Sequence, residues 1–152
     1  ETQDGALDTL RVAGVDPAGI YLGKSMALAA QLLVLEVLLV LGVIVFYASN
    51  IRPAGIVLVV TTALLATCGL AFVGTLYGGL AAGAKGRETL LPLLMLPVVA
   101  PVLIGATRAT EAALGTNGAS SSEGWPWIGL LVLFAAVFGV GGAVAFGSLV
   151  DE

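Results

Sequence analysis

Ala54-Gly-Ile-Val-Leu-Val-Val-Thr-Thr-Ala-Leu-Leu-Ala-Thr-Cys68-Gly-Leu-Ala-Phe-Val-Gly74-Thr-Leu-Tyr-Gly-Gly-Leu-Ala-Ala-Gly-Ala84 runs from 54 to 84 without a charged residue. A helix needs about 20 mostly apolar residues to span a bilayer. This stretch is longer than that, so it can tilt or extend past the membrane. Three further stretches follow the same rule. One covers about 25–48 and holds a single charge, Glu36. One covers about 90–106 and carries Pro92, Pro97 and Pro101. One covers about 127–150 and is uncharged. The expected fold is all-α: a polytopic membrane protein with four transmembrane helices, organised as residues 1–23 outside the spans and 24–152 as the membrane region. Proline removes a backbone donor, so the 90–106 segment is expected to be kinked or partly unwound and packed within protein.

Composition excludes most alternatives. Of 152 residues, 59% are hydrophobic and 11% charged, against about 25% charged in soluble domains. The mean hydropathy is +1.07. So little polar surface cannot cover a soluble core, and a soluble enzyme is ruled out. The net charge of −4 leaves no basic footprint for nucleic acid. Cys68 is the single cysteine and there is no histidine. An intrachain disulfide, a cysteine metal site, the commonest haem ligand and the usual general base are therefore all missing. There is also no glycine-rich loop with lysine and a hydroxyl residue, so nucleotide chemistry is expected on another chain.

Basic residues orient the spans. Arg11 and Lys24 precede the first, and Lys85 and Arg87 lie between the second and third; Arg52 and Arg108 fall on the opposite side. The positive-inside rule then places the N-terminal segment and the Lys85 loop in the cytoplasm. Trp125 and Trp127 suit an interfacial anchor at the outer end of the last span. The chain opens on Glu1 in a polar segment and reads as the interior of a longer protein. In Asp4-Gly-Ala-Leu7-Asp-Thr-Leu10-Arg11, Asp4 can cap a short helix whose Leu7 and Leu10 share a face. Asp16-Pro17 is a second helix start, leading through Ile20 and Tyr21 into the first span. The first segment is either a helix lying on the headgroups or a docking helix for a cytoplasmic partner. Beyond Thr107, Arg108 to Leu114 is compatible with one or two helical turns, and 116–122 has linker composition.

These residues carry a resemblance. Glu1 to Leu10, with Tyr21-Leu-Gly-Lys24 where the chain enters the membrane, resembles the cytoplasmic loop of type 2 ABC exporter permeases. The stretch from Gly74-Thr-Leu-Tyr-Gly-Gly through Arg87-Glu88 to Pro92, Pro97, Pro101 and Ile104 is similar to the CcmB family, the permease subunit of the haem exporter-type complex of cytochrome c maturation. Members have six spans, so the resemblance implies that these are the last four. It further implies a cytoplasmic ATPase partner, CcmA, docking on a coupling helix in which Leu7 and Leu10 make the apolar contact and Asp4 and Gly5 the turn. The other implied partners are CcmC, which presents haem, and the haem chaperone CcmE. Haem would be cargo: either it is exported, or ATP hydrolysis releases haem-loaded chaperone from CcmC. A type 2 exporter for a lipid or drug, and a membrane scaffold with no transport step, are the alternative readings.

Other residues admit two roles each. Glu36 is either a lining group of a polar cavity or a polar contact between helices, or else a protonated carboxyl bonded to a neighbouring helix, for example to a hydroxyl such as Thr61 or Thr62. Lys85, Arg87 and Glu88 either touch the ATPase or only set topology and start the next helix, where Glu88 suits the helix dipole. Gly74-xxx-Gly78 and Gly79-xxx-Gly83 match a close-packing motif, and glycines 139, 141, 142 and 147 form a second small face. Cys68 reads as a small buried apolar residue. Without histidine, any haem contact here falls to Met, Tyr, Cys or apolar groups.

Overall fold

The computed structural model describes residues 16–47, 53–83 and 90–151. Among them there are four α-helices and no strand: α1 Pro17–Tyr47, α2 Pro53–Gly83, α3 Leu90–Leu114 and α4 Trp125–Asp151. Two short 3-10 turns, Thr116–Gly118 and Ser121–Gly124, join α3 to α4. Each helix is long and apolar enough to cross a membrane. α1 and α2 each begin on proline; its missing N–H is one the first turn could not pair, and its fixed φ already suits the helix. Ile20 N–H closes the first turn of α1 on the Asp16 carbonyl at 3.1 Å.

α3 bears on two expectations. Its helix continues through Pro97 and Pro101, without the partial unwinding that is one of the two outcomes expected of the prolines. Each proline withholds one N–H from the carbonyl four residues earlier, a local loss that the remaining ladder bridges. The helical turns expected over Arg108 to Leu114 form, and they continue α3 past the apolar stretch, carrying Arg108 and Glu111 in its last turns. Their side chains pair at 3.1 Å on an exposed face, a geometry that contributes little to stability.

α2 is the central helix and packs on α1, α3 and α4, while α1 packs on α2 and α4. The larger apolar core joins α2, α3 and α4 around Leu58, Ala66, Val102, Ala109, Ala112, Ala113, Ile128 and Leu131. Small residues let the backbones close: a methyl added at Gly55 would land on the Ala113 carbonyl, and one at Gly124 on Leu58. Without a hydrophobic driving force between helices in lipid, such close approach supplies the dispersion that holds them together. Trp127 packs against this core, whereas Trp125 is exposed.

Large apolar side chains such as Leu38, Leu39, Leu103, Val137 and Val144 face outward. On a water-soluble protein this much apolar surface would be anomalous; on a membrane protein it is the lipid-facing surface. The α3–α4 connection turns at Gly115 and Gly118, both with positive φ (70° and 80°), a region glycine enters without steric cost. Ser120 and Glu123 then close on each other: Ser120 Oγ donates to Glu123 Oε1 at 2.8 Å, and Glu123 N–H donates to the Ser120 carbonyl at 3.0 Å.

Candidate functional site

Glu36 lies in the interior of α1, half-buried, and accepts a hydrogen bond from Thr67 Oγ1 of α2 at 2.9 Å. Thr67 is itself buried. Twelve residues separate Glu36 from Lys24, about 18 Å along the helix axis at 1.5 Å per residue, so the carboxyl is well inside the apolar span. The partner is a neighbouring-helix hydroxyl of the kind expected, but Thr67 rather than Thr61 or Thr62. Their hydroxyls donate to the carbonyls of Val57 and Leu58 one turn back, each at 2.7 Å. Thr75 does the same to Ala71 at 2.8 Å. Among the described α2 threonines, Thr67 is the one whose hydroxyl bonds to another helix. The structure thus assigns the carboxyl a helix–helix contact through a group that carries one proton to donate.

A second polar contact lies nearer the start of α1, and composition gave no special sign of it. Tyr21 is fully buried. Its hydroxyl reaches two main-chain carbonyls, Phe72 of α2 at 3.0 Å and Phe138 of α4 at 2.8 Å. Its ring stacks near Phe72, with centroids 6.2 Å apart and planes 22° from parallel. Gly142 makes the room, because a methyl there would fall on the Tyr21 hydroxyl. Gly139 in turn seats Phe72, whose ring edge is 3.1 Å from where a Cβ would sit. Ile20, Leu76 and Ala143 complete the cluster. The signal available in sequence was the phenol itself, since a buried tyrosine hydroxyl normally finds a partner. Which partner was not readable.

Asp4, Gly5, Leu7 and Leu10 lie outside the described residues, as do Lys85, Arg87 and Glu88. Of the glycines expected to pack closely on α2, Gly74 faces Leu28 and Met95, whereas Gly78 faces open space. On α4, Gly139 and Gly142 accept neighbours and Gly141 does not. Cys68 is a partly buried free thiol, less enclosed than its apolar surroundings suggested. Shallow depressions lie against the last turns of α3, lined by residues such as Thr107, Thr110, Glu111 and Leu114, and neither touches Glu36 or Tyr21. Among the described residues no cluster of three His, Cys, Asp or Glu side chains could hold a metal ion.

The arrangement is therefore a multi-pass helical bundle in which α1 is bound to the central helix by two polar contacts. No curated protein and no solved structure matches the chain. The family model described as CcmB protein matches residues 1–147, which takes in the polar N-terminal segment, all of α1 to α3 and most of α4. A match of that extent leaves one assignment: the chain belongs to the CcmB family.

Proposed function

We propose that this chain is the transmembrane permease subunit of an ABC-type complex in the cytoplasmic membrane, serving cytochrome c biogenesis. ATP hydrolysis takes place on a CcmA-like partner, and the permease carries no catalytic residue of its own. The work of hydrolysis drives haem handling, either export of haem or release of a haem-loaded CcmE-like chaperone from a CcmC-like subunit. The observation that carries this reading is the family match, which runs through both the N-terminal segment and the membrane helices. In this reading residues 1–23 form the coupling region and 24–152 the membrane region, with the 1–23 segment and the Lys85, Arg87, Glu88 loop on the cytoplasmic side. Asp4 and Gly5 make the turn, and Leu7 and Leu10 are the apolar anchors in the ATPase groove.

The anchors give the experiment. Leu7 and Leu10 precede the first membrane helix, so changing both to aspartate leaves insertion intact. Desolvated anchors of this kind typically cost about 2 kcal/mol or more on truncation, and a small interface cannot accommodate two charges there. The full-length permease carrying Leu7→Asp and Leu10→Asp is expected to reach the membrane at wild-type abundance but to lose its co-purifying ATPase. Wild-type retention of the ATPase would defeat the docking role and leave a headgroup-lying helix as the better account.

A further inference from the structure

We propose that Tyr21 is a positioning residue that links the start of α1 to both α2 and α4, and that this link carries displacement of the coupling region into the membrane bundle. The proposal rests on the permease reading above. It is carried by the Tyr21 hydroxyl, which holds one proton and faces two acceptors on different helices, Phe72 O at 3.0 Å and Phe138 O at 2.8 Å. A phenol donates that proton at full strength to one acceptor at a time. Rotation about the C–O bond moves the hydrogen bond from α4 to α2 without moving the ring. Both carbonyls lie inside regular helix, so each keeps its own main-chain donor whichever way the hydroxyl turns.

The surroundings are shaped for this exchange. Gly142 leaves the space that the hydroxyl occupies, and Gly139 lets the Phe72 ring settle against α4. The Tyr21 ring rests near Phe72, so the apolar body of the side chain stays enclosed while its tip serves two helices. α1 runs unbroken from Pro17 through Tyr21 into the span. A push on the chain before Pro17 therefore reaches Tyr21 within a little over one helical turn. At that point a single side chain touches the central helix and α4 together. In this proposal the hydroxyl, within reach of both carbonyls, is the switchable contact that a partner's stroke biases, the kind of element a contact network needs to transmit a signal.

The test uses the full-length permease with its ATPase and partner subunits, in cells that lack the chromosomal permease. Tyr21→Phe keeps the ring and removes the shared proton. The expected result is unchanged ATPase co-purification and unchanged KM for ATP, with cytochrome c formed per permease molecule lower by about threefold to tenfold, the span that intramembrane hydrogen bonds supply. A loss that only tracks permease abundance, with wild-type output per molecule, would overturn the proposal, because that is what a merely structural tyrosine produces. Should Tyr21→Phe fail to accumulate, Gly142→Ala keeps the phenol and fills the space of its hydroxyl. The same loss per molecule is expected there, and wild-type output overturns the link. If deleting the permease leaves cytochrome c assembly intact, the permease reading itself fails. A functional wild type with an unaffected Tyr21→Phe variant overturns the link alone.

Discussion

α3 and α1 both pack on the central helix, but by different physics. α3 is held by apolar closeness. Val102, Ala109, Ala112 and Ala113 are buried against α2 and α4, and Gly55 brings the α2 backbone onto the Ala113 carbonyl. α1 buries Ile20, Tyr21, Ser25 and Ala29 near its start, and it is also tied by hydrogen bonds, Tyr21 to two carbonyls there and Glu36 to Thr67 further along. Over its membrane window 11% of residues are buried, against 17% for α3 and 39% for the central α2, so the two outer helices differ less in how much they bury than in the kind of contact they make. Close packing of backbones is not adjustable: a shift of one helix opens a void whose lining loses its contacts. A hydroxyl shared between carbonyls can be re-aimed with little loss. The contrast is between close backbone packing in the α2–α3–α4 core and re-aimable polar contact at α1, the helix that follows the polar N-terminal segment.

The sharpest way to break this comparison is at Gly55. The atom that a new methyl would strike there belongs to the Ala113 backbone, which cannot rotate aside as a side chain can. Overpacking of a well-packed core costs about 1–3 kcal/mol and sometimes more, and a backbone obstacle belongs at the upper end. Gly55→Ala is expected to lower the heat-inactivation midpoint of the detergent-solubilised permease more than any other glycine-to-alanine change discussed here. A midpoint equal to wild type would show that α2 and α3 are less tightly closed than their contact implies.

Gly142→Ala probes the α1 side of the same comparison. The obstacle is now the Tyr21 hydroxyl, the far end of a side chain, although a fully buried one. Displacing it gives up the two carbonyl contacts but leaves the α3 core intact. Destabilisation of about 1–2 kcal/mol is expected, at the lower end of the overpacking range. The measurement is the same midpoint, and a loss equal to or larger than that of Gly55→Ala would reverse the ranking of the two attachments.

Much of this was legible in the sequence, and the rest was hidden for a physical reason. The four helices follow from runs of apolar residues set off by Pro17, Pro53, the charged residues at 85–88 and Trp125, because hydrocarbon admits helices and little else. In water, the polar face of a helix reveals which side is buried. These helices are apolar all round, so their periodicity carries no direction. The sequence therefore marked Glu36 as unusual but could not tell Thr67 from Thr61 and Thr62, which differ only in azimuth around α2. Tyr21 was less visible still. Its acceptors are main-chain carbonyls 51 and 117 residues away, and any residue type supplies a carbonyl. The glycines of α2 and α4 were recognisable as packing residues as a class. Only the placed neighbours separate Gly74, Gly139 and Gly142, which meet side chains, from Gly78 and Gly141, which do not. The α3 prolines do not unwind the helix, since two missing donors in a long helix leave the other main-chain bonds in place.

Glu36 supplies the smallest expected stability change and the cleanest separation of a tie from a working group. Thr67 donates and the Glu36 oxygen accepts. A glutamine amide keeps a carbonyl oxygen to accept from Thr67, and its N–H2 can donate as the O–H of a protonated carboxyl does. Glu36→Gln is therefore expected to change stability by less than about 0.5 kcal/mol, below the roughly 0.6 kcal/mol average of measured intramembrane hydrogen bonds. Glu36→Leu removes the acceptor altogether, but Thr67 can then turn to the carbonyl one turn back, as Thr61, Thr62 and Thr75 already do. Its loss is accordingly limited to the value of one such bond. If the carboxyl serves only to hold α1, cytochrome c output per permease stays at wild type in Glu36→Gln, and Glu36→Leu lowers membrane abundance alone. If the carboxyl must ionise during the cycle, both variants fold and both fail, because an amide cannot release a proton to become an anion. Output in Glu36→Gln, normalised to membrane abundance, separates the two, and normal output there reduces Glu36 to the second of the two polar ties on α1.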